Sequence, residues 1–118
     1  MDENYRAPAH QGDRIRASLA LQVIAAVTGI PSERMNTRAR LQGKECKARW
    51  MAMYLAHVTY NWPVERVSLA FDLNRATAAK ACRWGEDERD EPLVDTLMDR
   101  LERFVREVLE VPANELEA

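Results

Sequence analysis

Residues 67–83, V-S-L-A-F-D-L-N-R-A-T-A-A-K-A-C-R, read as two helices joined by a tight turn, and the rest of the chain is organised around them. Val67, Ala70, Phe71 and Leu73 recur at roughly helical spacing, Asp72 and Leu73 form the turn, and Asn74 can cap the free amides of a second helix. That second helix places Ala78, Ala81 and Cys82 on an inner face and leaves Arg75, Thr77, Lys80 and Arg83 to point elsewhere. Small inner residues suit two helices that meet steeply across a short turn, because the backbones must approach closely. The pattern predicts a helix-turn-helix; the same spacing also fits an ordinary helical hairpin.

Outward from this stretch, charge separates sharply. Residues 34–83 hold ten cations and three anions, a net of +7, whereas residues 84–118 hold four cations and twelve anions, a net of −8. The overall charge of −2 hides this division. A one-signed middle that coincides with the helix pair is the electrostatic footprint of phosphate binding. With 118 residues, 47% hydrophobic and 31% charged, the chain has the size and composition of one soluble globular unit. No apolar run approaches the roughly 18 residues of a membrane span, and Asp2, Glu3 and Arg6 are followed by no apolar segment of a secretory signal, which predicts a cytoplasmic protein. Cys46 and Cys82 lack metal-ligand spacing and His10 and His57 lie far from both, so free thiols and no metal site are expected.

In chain order, residues 1–13 read as a flexible arm. Ile15, Leu19, Val23 or Gln22, Ala26 and Val27 recur as a first helix that Asp13 can cap and Gly29-Ile30-Pro31 closes. Ser32 can cap a short turn before a loop rich in Arg38, Arg40, Lys44, Lys47 and Arg49. Residues 45–60 form the most apolar helix, the expected scaffold, with Trp50, Met51, Tyr54, Leu55 and Val58 as a core stripe and His57 partly exposed or locally satisfied. Pro63 suits the first turn of the next helix. Trp84-Gly85 is expected to end the second helix of the pair, followed by an exposed acidic linker over residues 86–91. From Pro92 the apolar stripe Leu93, Leu97, Leu101, Phe104, Val105, Val108 and Leu109 marks an amphipathic helix that packs either on the domain or on a second copy as a homodimer.

From Leu21 to Arg83 the chain resembles the C-terminal DNA-binding domain of the bacterial replication initiator DnaA. In this sequence the family's pieces are Gly29-Ile30-Pro31-Ser32-Glu33-Arg34-Met35, the basic loop of residues 38–49, Ala52-Met53-Tyr54-Leu55-Ala56, and Lys80-Ala81-Cys82-Arg83, in order. Where the family carries D-H-T-T-V to read bases, this chain has Asn74-Arg75-Ala76-Thr77-Ala78, with one residue fewer in the turn before it. There is no G-x-x-x-x-G-K-[ST] and no length for an ATPase module. The resemblance therefore implies the fold and the approach to DNA, rather than the initiator's own box.

Together these readings predict an all-α, compact domain of the DnaA-C-terminal or Trp-repressor-like helix-turn-helix kind over residues 14–85, with the acidic linker and long amphipathic helix over residues 86–118. The expected function is sequence-specific double-stranded DNA binding by a regulator of transcription or replication. Asn74, Arg75, Thr77 and Lys80 would face base edges, and Arg38, Arg40, Lys44, Lys47, Arg49 and Arg83 would hold phosphates. The resemblance implies that one loop arginine, Arg38 or Arg40, enters the minor groove. The alternative is a protein-interaction module or antagonist that kept the fold and lost base readout. No cofactor is implied, and no nucleophile-base pair or paired carboxylates mark an enzyme.

Overall fold

The computed structural model describes residues 10–110, and every regular element in them is helical. These are α1 (Gln11–Thr28), α2 (Ser32–Met35), α3 (Gly43–Thr59), α4 (Val64–Ala70), α5 (Arg75–Glu88) and α6 (Pro92–Leu109). The expected flexible arm falls mostly outside the described residues. Its last part is the start of α1, where the His10 ring accepts a hydrogen bond from the Gly12 amide at 3.1 Å. No described helix is long and apolar enough to cross a membrane.

α3 is the scaffold, touching all five other helices. Its interior face is Ala48, Ala52, Met53, Tyr54, Leu55 and Ala56, all buried. Alanine favours helix and adds little bulk, so neighbouring helices can lie close on several sides. The expected stripe is only partly right: Trp50, Met51 and Val58 are half-buried at its edge. His57 is locally satisfied, its Nδ1 lying 2.6 Å from the Trp62 carbonyl. A carbonyl only accepts, so Nδ1 carries the proton.

α1 differs from its sequence reading in phase. Ala17, Ala20, Leu21, Val23 and Ile24 are buried, whereas Ile15 is 63% exposed. The covered face is the one with Ala17 and Ala20, and Ile15 lies off it. Asp13, one turn before Ala17, falls on the same inner face and is not a cap. Its carboxylate accepts from Arg66 Nε at 2.7 Å and Nη2 at 2.9 Å, which ties α1 to α4. The Arg66 hydrogen bonds hold the Asp13 carboxyl below the usual carboxylate range, against the desolvation that raises it. Gly29 closes α1 in the left-handed region at φ 77°. Ser32 does not cap α2; its hydroxyl accepts from Gln22 Nε2 at 2.8 Å.

α5 runs on through Glu88, past the expected stop at Trp84-Gly85. Gly85 ends nothing. A Cβ there would lie 2.2 Å from Cγ of Tyr54, so glycine lets α5 cross α3 directly over the Tyr54 ring. The expected acidic linker shrinks to the few residues between α5 and α6. Glu91 and Pro92 then start α6, the Glu91 carboxylate lying 3.5 Å from the Leu93 amide.

α6 buries Met98, Leu101 and Val105. Arg89, at the end of α5, fastens its other flank by donating to Asp95 at 2.7 Å, to Glu102 at 3.3 Å and to Asp99, with the Tyr54 hydroxyl at 3.5 Å. Burial works against the Arg89 charge, but the Asp95 and Tyr54 hydrogen bonds and nearby Glu102 outweigh it and hold its pKa above the ordinary value. Both cysteines are free; burial pushes the Cys82 thiol, on the inner face of α5, up to about 11.

Candidate nucleic-acid interface

α4, the turn and α5 form the expected pair. Leu73 N donates to Ser68 O at 2.9 Å across the turn, and Asp72 takes φ 57°, a left-handed conformation that aspartate tolerates better than most residues. Asn74 caps α5, its side-chain oxygen accepting from the Thr77 amide at 2.8 Å. Ala78, Ala81 and Cys82 are buried as read. The first turn of α5 carries no acidic residue, so the positive end of its dipole is left open to an anion.

The ten cations of residues 34–83 divide into three groups. Four lie against carboxylates: Arg34 with Glu45 at 3.6 Å, Arg38 with Asp72 at 2.9 Å, Arg66 with Asp13 at 2.7 Å and Arg75 with Glu65 at 3.7 Å. Arg49 is turned inward, 6% exposed, and its Nη1 donates to Thr37 O at 2.8 Å and Ala39 O at 3.3 Å. Expected among the phosphate ligands, Arg49 instead holds the loop carbonyls on either side of Arg38. Its helical phase, four residues before the buried Met53, could have indicated this from the sequence. The remaining five, Arg40, Lys44, Lys47, Lys80 and Arg83, are exposed and have no carboxylate partner among the described residues.

Three of these five surround an aromatic pair that the sequence reading missed. Trp50 and Trp84 have ring centroids 5.8 Å apart, and Lys80 Nζ lies 5.4 Å from the Trp50 centroid. Lys44 and Lys47 line a largely apolar groove with Ile30, Met51, Trp84, Val94 and one carboxylate, Glu88, which is not within ion-pair distance of either. The tryptophans sit at a spacing that sequence alone cannot bring together, since α3 and α5 meet only in the fold. Arg83 lies on the opposite flank of α5, in a shallow groove with His57, Val64, Glu86 and Asp87.

The expected base-reading set is gathered at one end of α5. Arg75 is exposed and its contact with Glu65 is long; Thr77 is half-buried; Lys80 follows one turn later on the Trp50 side. Asn74 keeps only its amide NH2 for a ligand, because its oxygen is the cap. Arg38 donates from Nη2 to Asp72 in the turn at 3.0 Å, with Nε 2.9 Å from the other carboxylate oxygen, while Arg40 on the same loop has no such tie among the described residues. Among the described residues, no group of three or more His, Cys, Asp or Glu side chains could hold a metal ion.

Set against family models, curated proteins and solved structures, the chain matches none of them.

Proposed function

We propose that the protein is a double-stranded-DNA-binding regulator of transcription or replication, acting in the cytoplasm at the nucleoid, with α4, the turn and α5 serving as a DnaA-like helix-turn-helix. The observation that carries this reading is the set of five exposed cations along the basic loop, α3 and α5 that have no ion-pair partner among the described residues. All three internal anions of this region, Glu45, Glu65 and Asp72, are already taken by other arginines. What is left over is positive and aligned with the helix pair.

In this reading the N-terminal turn of α5 enters the major groove. Arg75 leaves the exposed Glu65 at small cost, since such a pair contributes about 0–1 kcal/mol, and donates to a guanine edge. Thr77 contacts a base edge or a thymine methyl. Lys44, Lys47, Lys80 and Arg83 hold phosphates, which fix register without reading sequence. Arg40 is the loop arginine for the minor groove, because Arg38 is held to the turn by Asp72. Arg38 and Arg49 act as positioning residues that hold the loop against the helix pair.

Mapping the genomic sites bound in cells, followed by binding of the purified chain to the recovered motif and to random duplex, tests the reading. A recovered motif bound more tightly than random DNA is the expected result; enrichment no better than background would favour the interaction module. That second reading draws on one observation, the apolar side chains left exposed on α6.

A further inference from the structure

α6 carries more apolar surface than its own domain covers. Met98, Leu101 and Val105 are buried, but Leu93, Phe104 and Val108 are 79%, 52% and 43% exposed, and four of the six large hydrophobic residues exposed among the described residues belong to this one helix. The pattern is a heptad. Val94, Leu101 and Val108 recur at intervals of seven, and Leu97 and Phe104 follow Val94 and Leu101 by three, so the five occupy a and d positions. Met98 and Val105 are then e positions, turned into the domain, while Arg100 and Glu107 are g positions on the exposed side. Neither Arg100 nor Glu107 has an ion-pair partner among the described residues, unlike Asp95, Asp99 and Glu102, which Arg89 holds on the opposite flank.

We propose that α6 pairs antiparallel with α6 of a second copy of this chain. Placing a against d sets the half-buried Leu97 on Val108 of the second copy and Phe104 over the turn that carries its Leu101, whose side chain stays in its own domain, and the two-fold axis repeats both contacts. The same register brings Arg100 beside Glu107 of the second copy, twice. Charge thus selects the direction: a parallel pair would set the g residues against e, where Met98 and Val105 are already buried, and would leave both charges unmatched. The contact closes on itself, so the product is a dimer and not a filament.

Sedimentation equilibrium of the full chain without DNA tests this independently of the proposed function. The expected result is a concentration-dependent dimer whose dissociation constant rises at least about 30-fold in Phe104→Glu, as for a central interface anchor. Arg100→Glu and Glu107→Arg should each weaken association by about 10-fold, and the double swap should return it to within about 3-fold of the native chain. All three side chains are exposed, so the core is not disturbed. A monomer at concentrations up to about 1 mM, or a dimer indifferent to Phe104→Glu, would overturn the pairing. A dimer that Phe104→Glu weakens but the double swap does not restore would overturn the antiparallel register.

Discussion

Arg38, Arg40 and Arg49 are equivalent in the sequence and have three different circumstances in the fold. Arg49 is inside and holds the carbonyls of Thr37 and Ala39, Arg38 is fixed to Asp72, and Arg40 stands exposed. Composition identified the basic loop, but only tertiary partners separate a ligand for DNA from a brace for the loop. Arg40→Ala should therefore weaken binding to the preferred site more than Arg38→Ala, as read by fluorescence anisotropy on a labelled duplex; the reverse order would exchange their roles. Reading and holding separate in the same assay. Arg75→Ala should cost about 1–3 kcal/mol on the preferred site and much less on random DNA, whereas Lys47→Ala should weaken both alike. Equal losses for Arg75→Ala on both duplexes would move base reading to Lys80 or Thr77. Asp13 makes a prediction about pH. Its pKa is depressed in the folded state by the Arg66 hydrogen bonds, so the stability it contributes is present above the unfolded-state value of about 3.9 and lost as pH falls through the lower folded value. Asp13→Asn should lower stability at neutral pH and flatten the acid limb of a denaturation curve, and an unchanged acid limb would mean that the pair contributes nothing.

At the scale of elements, the breaks were more legible than the faces. Gly29, Asn74 and Pro92 stand where α1 ends and where α5 and α6 begin, because a left-handed cap, a side-chain cap and a ring-fixed φ act locally. The phase of α1 is not legible, since alanines and larger apolar residues alternate around it and the helices packed on it decide which of them is covered. Gly85 departs from its sequence pattern for a similar reason: glycine ends many helices, but here it is the point at which α5 crosses Tyr54. Gly85→Ala should therefore destabilise the domain by about 1–3 kcal/mol through overpacking, despite the better helix propensity of alanine. Equilibrium urea unfolding measures this, and a stabilised variant would show that the ring moves aside freely. Arg89 is the electrostatic counterpart of that crossing. Replacing it with Met leaves Asp95, Asp99 and Glu102 close together with only Arg106, 4.0 Å from Glu102, to offset them, so hydrogen exchange along α6 should speed up at neutral pH. Exchange unchanged from the native chain would mean that Met98, Leu101 and Val105 hold α6 unaided.

Across the whole molecule, the division of charge read from the sequence is blurred along α5, where Glu86, Asp87 and Glu88 share grooves with Arg83, Lys44 and Lys47, and fewer cations remain outward than the count of ten suggests. Pairing and burial withdraw Arg34, Arg38, Arg49, Arg66 and Arg75 in part or in full, leaving Arg40, Lys44, Lys47, Lys80 and Arg83. The site was thus legible as a region and not as a set of ligands, because ion pairs across the fold join residues tens of positions apart, such as Asp13 and Arg66. In the proposed function this residual surface binds duplex DNA through phosphates. Affinity for a labelled duplex across a salt series tests it most directly, comparing the native chain with a variant in which Lys44, Lys47 and Lys80 are replaced by alanine. Each phosphate contact contributes about 0.9 to the slope of log affinity against log salt, so the native slope should be steep and the variant's should be smaller by about 2–3. No measurable affinity at low salt, or a slope that the three substitutions leave unchanged, would contradict the account.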